Sequence, residues 1–410
     1  MQNRNIKLFL SADLCSQFGA GMTIAVLSWY ALDKSGSNQL VAAIINVNII
    51  SGMLMSFFAG VIVDTFSKKN VTILSHLLRV IFIAVPLLLL TIYGYNEYFL
   101  FLIALSNGLG WNLYYPASKG LLQEISTTEQ LLKSNSGAEI TMQIGLFSAG
   151  AIAGSLYNIL GFNVILILSL ITFLVSAFLT SLLKTTKEKH VSKERIGIKD
   201  SYVEGIKYFQ SHGVIFFLGL VLYIPFIGAN VINTILPGYA SIELNTNAAV
   251  YGLIDMAYGI GACVVGFTII GLSKKFSINS LVSIGFLIGI FTGLVLFANT
   301  SKIFAGVLFF VCGLCGPGIR SLIYSLIMKV VPNEFLGRAM SLWNLLSLFI
   351  QVIATFSIGK IMDIISPAWG FLIYSFILLS GLVLFTLIKR GLNRYMEINN
   401  EQYKEVSSGG

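Results

Sequence analysis

The sequence predicts an all-α membrane protein whose twelve transmembrane helices form two bundles of six. Composition is the first reason, because 56% of the 410 residues are hydrophobic and only 11% are charged, against about 25% charged residues in a soluble domain. The second is that the apolar residues fall into runs of roughly 20, the length of a helix that crosses a hydrocarbon core of about 30 Å. These runs lack the polar alternation of an outer-membrane barrel. The third is an internal repeat, described below.

The apolar runs define the predicted topology. We predict twelve spans, at about 8–32, 40–63, 70–92, 97–117, 136–159, 161–183, 212–235, 248–271, 278–298, 302–328, 338–362 and 368–388. Because the number of spans is even, both termini lie on one side, and most Lys and Arg residues fall on that side, which the positive-inside rule identifies as the cytoplasm. Lys34, Lys302 and Lys360 fall on the other side. We therefore expect a multi-pass protein of the cell membrane, plasma or inner, with cytoplasmic termini.

The longest connection divides the chain into two halves. The expected domains are an N-terminal six-helix bundle, a cytoplasmic linker, a C-terminal six-helix bundle and a cytoplasmic tail, over residues 1–183, 184–211, 212–388 and 389–410. After a basic cluster, the linker places four apolar residues on one helical face: Ile198, Tyr202, Ile206 and Phe209. This spacing predicts an interfacial helix on the inner leaflet. A solvated linker is the alternative.

The two halves share a repeated pattern. The stretch Gly60–Lys69, at the end of span 2, returns as Gly266–Lys275 at the end of span 8, and both copies place Ser-Lys-Lys seven residues after a glycine. Gly154 in span 5 matches Gly359 in span 11 at nearly the same offset. Because each half has six spans, both halves enter the membrane from the same side, as in a parallel repeat.

A parallel six-plus-six duplication with Gly-x-x-x-Asp-x-x-x-Lys-Lys after span 2 resembles the major facilitator superfamily. Tyr115-Pro-Ala117 in span 4 and Pro332-Asn-Glu-Phe-Leu-Gly-Arg338 resemble the drug-exporter branch that holds macrolide-efflux proteins and the enterobactin exporter. The resemblance implies a secondary exporter that works by alternating access and antiport, with a proton gradient as driving force and no cofactor. It implies a drug-like compound or a secreted metal-chelating metabolite, such as a siderophore or other metallophore, as substrate. We expect a monomer in the lipid bilayer.

The resemblance also implies a cytoplasmic gate. Its residues on this chain are Gly60, Asp64, Lys68, Lys69 and Arg338. Asp64 would pair near Arg338, at the start of span 11, and hold the cytoplasmic side shut in the outward-facing carrier, since a carboxylate–arginine bond is directional and an acid suits a helix N-terminus. Gly60 would allow close helix approach. The alternative is that the lysines only set topology and Asp64 reaches toward the membrane surface.

Acidic residues inside the spans are candidates for proton coupling. A charge at the centre of a bilayer costs at least about 2.5–3.5 kcal/mol and is functional by default. Asp13, Glu139 and Asp255 fall in spans 1, 5 and 8. Asp13 is the first choice, because a buried carboxyl group can load and release a proton as access alternates. The alternatives are a structural ion pair for Asp13 and an interfacial acid for Glu139.

Polar and aromatic residues on the spans that line a facilitator cavity form a second set of candidates. They are Gln17, Asn46, Asn48, Asn107, Trp111, Tyr114, Gln143, Asn230, Asn233, Tyr258, Tyr324, Trp343 and Asn344, together with the intramembrane cations Arg79 and Arg320. Amides bond without the desolvation cost of a charge, and aromatic rings offer apolar area and cation–π faces. We expect Arg320 to bind an anionic group of the substrate. For each residue, packing between helices is the alternative.

Other classes of protein find little support. The net charge of +8 comes mainly from loop lysines and arginines, so no nucleic-acid partner is expected. The chain has no Gly-x-x-x-x-Gly-Lys-Ser/Thr loop, His-Glu-x-x-His or Gly-x-Ser-x-Gly motif, and only three histidines, so no ATP pump, catalytic residue or metal site is expected. A non-transporting membrane sensor or assembly factor on the same fold is the alternative function.

Overall fold

The computed structural model describes residues 2–127, 130–185, 209, 213–331 and 333–408, and for some of these, among them Asp64 and Arg338, only the backbone. These residues are almost entirely helical. The predicted interfacial helix of the linker lies outside the described residues, apart from Phe209, which is buried.

Twelve helices follow one another along the described chain, which confirms the predicted fold class. In the N-terminal half they are α1 (Gln2–Ser35), α2 (Asn38–Thr65), α3 (Lys68–Tyr93) and α4 (Glu97–Ile125), followed by the helical stretch Leu131–Ser181. That stretch is two helices, α5 (131–160) and α6 (162–181), joined at Gly161, whose φ of 75° lies in the left-handed region that favours glycine. In the C-terminal half they are α7 (Gly213–Gly238), α8 (Ala248–Lys275), α9 (Ile278–Ala298), α10 (Lys302–Val330), α11 (Asn333–Ile364) and α12 (Trp369–Ser408).

Most of these helices are long and apolar enough to cross a membrane. Ten helical stretches meet that condition within the described residues when Ser134–Ser181, which holds both α5 and α6, is counted once. The helix outside this set is α4, whose 29 residues carry many of the amide and aromatic candidates. A polar helix of full length is tolerated in a membrane bundle when its polar side chains face other helices.

Short polar side chains define where several helices begin. Ser37, Asn96, Asn247, Ser277 and Ser301 precede α2, α4, α8, α9 and α10, and each accepts a hydrogen bond from a backbone N–H of the first turn. Such caps satisfy N–H groups that have no partner within the helix. The caps separate successive helices with connections of only a few residues.

Each half of the chain has its own apolar core. One cluster of buried side chains comes from α1 to α6, and a larger one comes mainly from α7 to α12. The larger cluster extends to Trp29 of α1, whose ring centroid lies 5.3 Å from that of Tyr251 in α8. The two bundles are therefore in direct contact at this level.

The bundles meet at one face of the molecule. We call the end that holds both chain termini the terminal face and the opposite end the far face. Near the far face, Gly359 of α11 packs on Ala42 of α2, and Gly154 of α5 packs on Ala248 of α8. Ala42 and Ala248 are 206 residues apart, and Gly154 and Gly359 are 205 apart, so the two contacts follow the sequence repeat. Glycine at each contact lets the backbones approach closely.

At the terminal face the bundles diverge. A Cβ atom added to Gly60 of α2 or to Gly266 of α8 would meet nothing within 4 Å. Near these glycines, Phe58 is 63% exposed and Phe267 is 74% exposed. In this conformation, therefore, α2 and α8 make no close contact at Gly60 and Gly266, and the described contacts of α5 with α8 and of α2 with α11 lie from mid-depth to the far face, so the bundles separate toward the terminal face.

Candidate functional site

Asp13 is the centre of a buried hydrogen-bond network. Its side chain is 5% exposed. Oδ1 accepts hydrogen bonds from the hydroxyl of Tyr114 in α4 at 2.5 Å and from Nε2 of Gln17 at 3.1 Å, and Oδ2 accepts one from Oγ1 of Thr141 in α5 at 2.5 Å. Three donors from three helices suit an ionised carboxylate, which only accepts. The sequence predicted Asp13, Gln17 and Tyr114 as candidates, and the structure brings them together.

A small cavity of about 10 Å³ adjoins this network, which is enough for one water molecule. Its lining includes Asp13, Tyr115, Lys119 and Glu139. Lys119 of α4 and Glu139 of α5 form an ion pair at 2.7 Å, with side chains 31% and 49% exposed. The cavity therefore lies between the buried carboxylate and an ion pair that reaches the surface of the protein.

Arg79 lies behind this network, inside the N-terminal bundle. It is 0% exposed, and its Nη1 donates to Oγ of Ser16 at 3.1 Å. Its Cζ lies 5.5 Å from the ring centroid of Tyr114 and 5.1 Å from that of Phe173, distances typical of cation–π contacts. Among the described residues, Nε and Nη2 have no hydrogen-bond partner. The structure thus places Arg79 away from the space between the bundles.

Arg320 of α10 is the intramembrane cation that does face this space. It is partly exposed, and its Cζ lies 5.3 Å from the ring centroid of Phe226 in α7. It lies within electrostatic range of Tyr223 and Tyr258 in its own bundle and of Tyr115 in the other bundle. Within the described part of the chain, the ion pairs involve other residues, so Arg320 has no carboxylate within 4.0 Å. An unpaired guanidinium among aromatic rings is suited to an anion.

Asp255 of α8 lies at the contact between the bundles. A Cβ atom added to Gly150 of α5 would lie 2.6 Å from Oδ2 of Asp255, so the carboxylate rests against the bare backbone of the opposite bundle. Tyr258, one turn along α8, packs its ring 6.1 Å from that of Phe147 in α5. Asp255 is therefore an interface acid in the far half of the protein.

A chain of amide and hydroxyl groups follows the contact between α2 and α11. Asn46 of α2 accepts a hydrogen bond from Oγ1 of Thr355 in α11, and the carbonyl oxygen of Gln351 lies 2.8 Å from the same hydroxyl as an alternative acceptor. The Oε1 atom of Gln351 accepts from Nδ2 of Asn230 in α7 at 2.7 Å. The candidates Asn46 and Asn230 thus belong to one polar path that joins the two bundles.

Trp343 has a packing role that differs from its predicted place in a cavity. It is 0% exposed, its Nε1 donates to the carbonyl of Phe216 at 3.0 Å, and its ring lies where a side chain at Gly219 would stand. Because it fills the core between α7 and α11, it does not present a surface to the space between the bundles.

The other predicted cavity residues vary in exposure. Trp111 stacks near Tyr115 with ring centroids 5.3 Å apart. Asn107 is buried, and its Oδ1 has no partner among the described residues. The remainder are partly or largely exposed: Asn48, Gln143, Asn233, Tyr324 and Asn344.

The predicted gate is only partly visible. The side chains of Asp64 and Arg338 lie outside the described residues. Lys68 forms an ion pair with Glu124 of α4 at 3.0 Å, and Lys69 donates to the carbonyl of Leu183 at 2.8 Å. Both lysines therefore tie the start of α3 to its own bundle in this conformation.

Sequence reasoning missed several partners of the predicted residues. Thr141 completes the carboxylate network, Tyr223 lies near Arg320, and Gln351 links Asn46 to Asn230 through Thr355. The only sequence signal for these partners was that each is a polar residue within a predicted span. Within the described residues, no group of three or more His, Cys, Asp and Glu side chains is placed to bind a metal.

Two six-helix bundles that meet at one face, diverge at the other and bury charged groups between apolar helices are the architecture of transporters of the major facilitator superfamily. A family model described as "Transmembrane secretion effector" matches residues 1–405, and the chain belongs to this family. It is a multi-pass membrane transporter.

Relatives and solved structures agree with this assignment. The chain is 23% identical over 372 residues to an uncharacterized MFS-type transporter, YkuC, of Bacillus subtilis (strain 168), covering 85% of this chain and 84% of the relative. Its fold matches a bacterial homologue of the iron transporter ferroportin in the inward-facing state, with a TM-score of 0.73, 16% identity and coverage of 94% and 98% of the two chains. It also matches a D-xylose–proton symporter, with a TM-score of 0.72, 16% identity and coverage of 93% and 96%.

Proposed function

We propose that the protein is a proton-driven exporter that carries a small organic molecule out of the cell by alternating access. Its substrate is a drug-like compound or a secreted metal-chelating metabolite, and the site favours one that carries a carboxylate. The observation on which the coupling depends is the position of Asp13, a buried carboxylate held by three helices of one bundle.

Proton coupling is supported by the surroundings of Asp13. A transporter that exchanges a proton for a substrate needs an ionisable group that is shielded from bulk water but reachable from one side at a time. Such a route toward the terminal face is supported by the one-water cavity beside Asp13, whose lining includes the partly exposed Lys119 and Glu139. Protonation would remove one acceptor oxygen from a network in which Tyr114 and Thr141 are donors. The hydrogen bonds that join α4 and α5 to α1 would then weaken.

The choice of substrate class depends on which charge is free. A lipophilic cation would need an accessible carboxylate, but both oxygens of Asp13 already accept hydrogen bonds, and Oδ2 of Asp255 is packed against the backbone of Gly150 in the opposite bundle. Arg320 has aromatic neighbours and, in the described residues, no carboxylate partner. An organic anion that brings its own carboxylate to Arg320 and an apolar or aromatic part to Phe226 fits this arrangement best.

Orientation and direction complete the proposal. The terminal face carries the lysines Lys68, Lys69, Lys274 and Lys275, whereas Lys34, Lys302 and Lys360 lie toward the far face. We place the protein in the plasma membrane, and the positive-inside rule then assigns the terminal face to the cytoplasmic side. The opening toward that face would then admit substrate from the cytoplasm. Export agrees with the description of the family.

The test is transport by the purified protein in liposomes with an imposed pH gradient. A panel of drugs and of carboxylate-bearing metal chelators is first screened by competition binding, and flux of the best ligand is then measured with and without the gradient. Asp13→Asn should bind the ligand but lose gradient-driven flux, whereas Glu97→Gln, at an exposed acid in the first turn of α4, should behave as the parent. Unchanged gradient-driven flux in Asp13→Asn would overturn the coupling role.

A further inference from the structure

A carboxylate of one bundle holds the start of a helix in the other. Near the end of α11, Oδ2 of Asp363 accepts hydrogen bonds from Oγ of Ser37 at 2.7 Å and from the backbone N–H of Gln39 at 3.0 Å. Its Oδ1 accepts from the backbone N–H of Asn38 at 2.6 Å and from the Nδ2 of Asn38 at 2.9 Å. We call these four residues, Ser37, Asn38, Gln39 and Asp363, the far-face latch.

The latch uses the strongest kind of contact that a helix start offers. The first backbone N–H groups of a helix lack partners within the helix, and the helix dipole favours a negative charge there. Asp363 satisfies two of these N–H groups in α2, while Ser37 serves as the N-cap through its own bond from the N–H of Leu40. Hydrogen bonds to an ionised acceptor are roughly twice as strong as neutral ones. A group from the C-terminal bundle therefore completes the cap of an N-terminal helix.

The position of the latch matters more than its strength. It lies where α2 begins and α11 ends, at the far face, beyond the contact of Gly359 with Ala42. An opening on this face requires α2 and α11 to separate, and all four bonds then break together. In the described part of the chain, the ion pairs join helices within the N-terminal bundle, so Asp363 supplies a charged contact between the bundles at this face.

The sequence repeat contains no second copy of the far-face latch at the contact between α5 and α8. The residue that corresponds to Asp363, 205 positions earlier, is Asn158 of α5, which carries no charge and is exposed. At the second contact between the bundles, α8 is capped by its own Asn247. Among the described residues, the contact between α2 and α11 is therefore where a carboxylate of one bundle is hydrogen-bonded to a helix start of the other, whereas Asp255, at the contact between α5 and α8, rests against the backbone of Gly150.

We propose that Asp363 is the gating residue of the far face: it holds that face closed while the terminal face is open, and its release from α2 is required before the far face opens. This inference depends on the alternating access of the proposed function. It does not depend on the coupling ion, the substrate or the role of Asp13.

The test measures opening of the far face directly. Thr355 is 0% exposed at the contact between α2 and α11. Thr355→Cys, in a background whose four native cysteines are replaced by serine, reports opening by its rate of reaction with a maleimide in purified protein. Asp363→Asn should raise that rate about tenfold, the ratio expected for losing one charge-assisted hydrogen bond. The matched control is Asp33→Asn, because Asp33 is a far-face acid whose partner, Tyr157, belongs to the same bundle.

A second variant removes the donors instead of the acceptor. Asn38→Pro deletes both donors of Asn38 at a first-turn position where proline is tolerated, and Ser37, with φ −109° and ψ 119°, already has the extended conformation that precedes a proline. It should raise the labelling rate as Asp363→Asn does. A rate equal to that of the control in both variants, with protein that remains folded by its thermal transition, would overturn the latch.

Crosslinking separates this inference from the proposed function. Ser37→Cys with Asp363→Cys should form a disulfide that stops labelling at position 355, and reduction should restore labelling at that position, read from the mass of its peptide because the two freed thiols also react. Labelling that persists through the disulfide would count against the latch. Loss of gradient-driven flux in all variants, with the labelling results as expected, would count only against the proposed proton-driven transport.

Discussion

Asp13 and Arg79 face each other across the ring of Tyr114. The hydroxyl of Tyr114 donates to Oδ1 of Asp13 at 2.5 Å, while the guanidinium of Arg79 lies 5.5 Å from the centroid of the same ring. The tyrosine therefore touches both buried charges. Because burying an unpaired charge is costly, the hydrogen bonds from α1, α4 and α5 to Asp13 stabilise it, and a change at Asp13 alters contacts of all three helices.

Replacing Tyr114 by phenylalanine tests this link. The variant keeps the ring over Arg79 and removes the hydroxyl that donates to Asp13. We expect gradient-driven flux to fall about tenfold, since a hydrogen bond to a charged group contributes about 1.5–3 kcal/mol, while ligand affinity stays within a factor of two. Tyr98→Phe is the control, because Tyr98 lies in the first turn of the same helix and is 74% exposed. Equal flux in the two variants would contradict a role for the Tyr114 hydroxyl.

Replacing Glu139 should not affect proton coupling, in contrast to replacing Asp13. Its ion pair with Lys119 is partly exposed, and such pairs contribute about 0–1 kcal/mol. We expect Glu139→Gln to keep both gradient-driven flux and the thermal transition of the parent. The two variants are compared in liposomes across pH, and a loss of coupling in Glu139→Gln as large as that in Asp13→Asn would make Glu139 part of the proton path.

Arg320 should decide affinity for an anionic substrate. Arg320→Gln removes the charge, whereas Arg320→Lys keeps it without the planar fork that binds a carboxylate in two places. We expect affinity for a carboxylate-bearing chelator to fall at least about tenfold in Arg320→Gln and by less in Arg320→Lys. Competition binding measures this, with the methyl ester of the same chelator as control. An ester that loses affinity as strongly as the acid would exclude charge recognition by Arg320.

Gly154 should control closure of the far face through backbone packing. A Cβ atom at this position would collide with the carbonyl of Ala248 and lie 3.3 Å from Cα of Gly252. We expect Gly154→Ala to push α5 away from α8 and to raise the labelling rate of Thr355→Cys several-fold. Gly306→Ala is the control, since a Cβ there meets nothing within 4 Å. Labelling rates that do not differ would show that the two helices separate without effect on the contact between α2 and α11.

Trp343 should affect stability and leave binding intact. It is fully buried against Gly219 and hydrogen-bonded to Phe216. Truncation of a buried Trp costs about 3–5 kcal/mol, so Trp343→Ala should lower the thermal transition strongly, whereas the exposed Asn344→Ala should not. Tryptophan fluorescence and ligand competition measure the two quantities. A large loss of affinity in a Trp343→Phe variant of normal stability would instead indicate that Trp343 contributes to the substrate cavity.

The spans could be predicted from sequence because their signal is local. A run of apolar residues between a serine or asparagine cap and the next polar group defines a helix whatever it packs against, as for α9, which spans Ile278–Ala298 where the sequence predicted 278–298. The same holds for the junction of α5 and α6, because the predicted spans 136–159 and 161–183 meet next to Gly161, where the chain kinks in the structure.

The partners of the predicted residues could not be found in this way. Thr141 donates to Asp13 across 128 positions, and Asp363 reaches Ser37 across 326, so both contacts depend on how the helices assemble. Trp343 shows the reverse error, because an aromatic residue on a cavity-lining helix can face the core of its own bundle. Residue type predicts that a polar group needs a partner, but only the packing determines which one.

The hinge at Gly161 has a mechanical consequence. A single residue, Gly161, joins α5 to α6. Because the connection is so short, a tilt of α5 away from α8 must also displace the adjoining end of α6. Because α6 carries Ser176, which is bonded to the carbonyl of Ala12 in α1, that displacement would reach the helix that holds the buried acid.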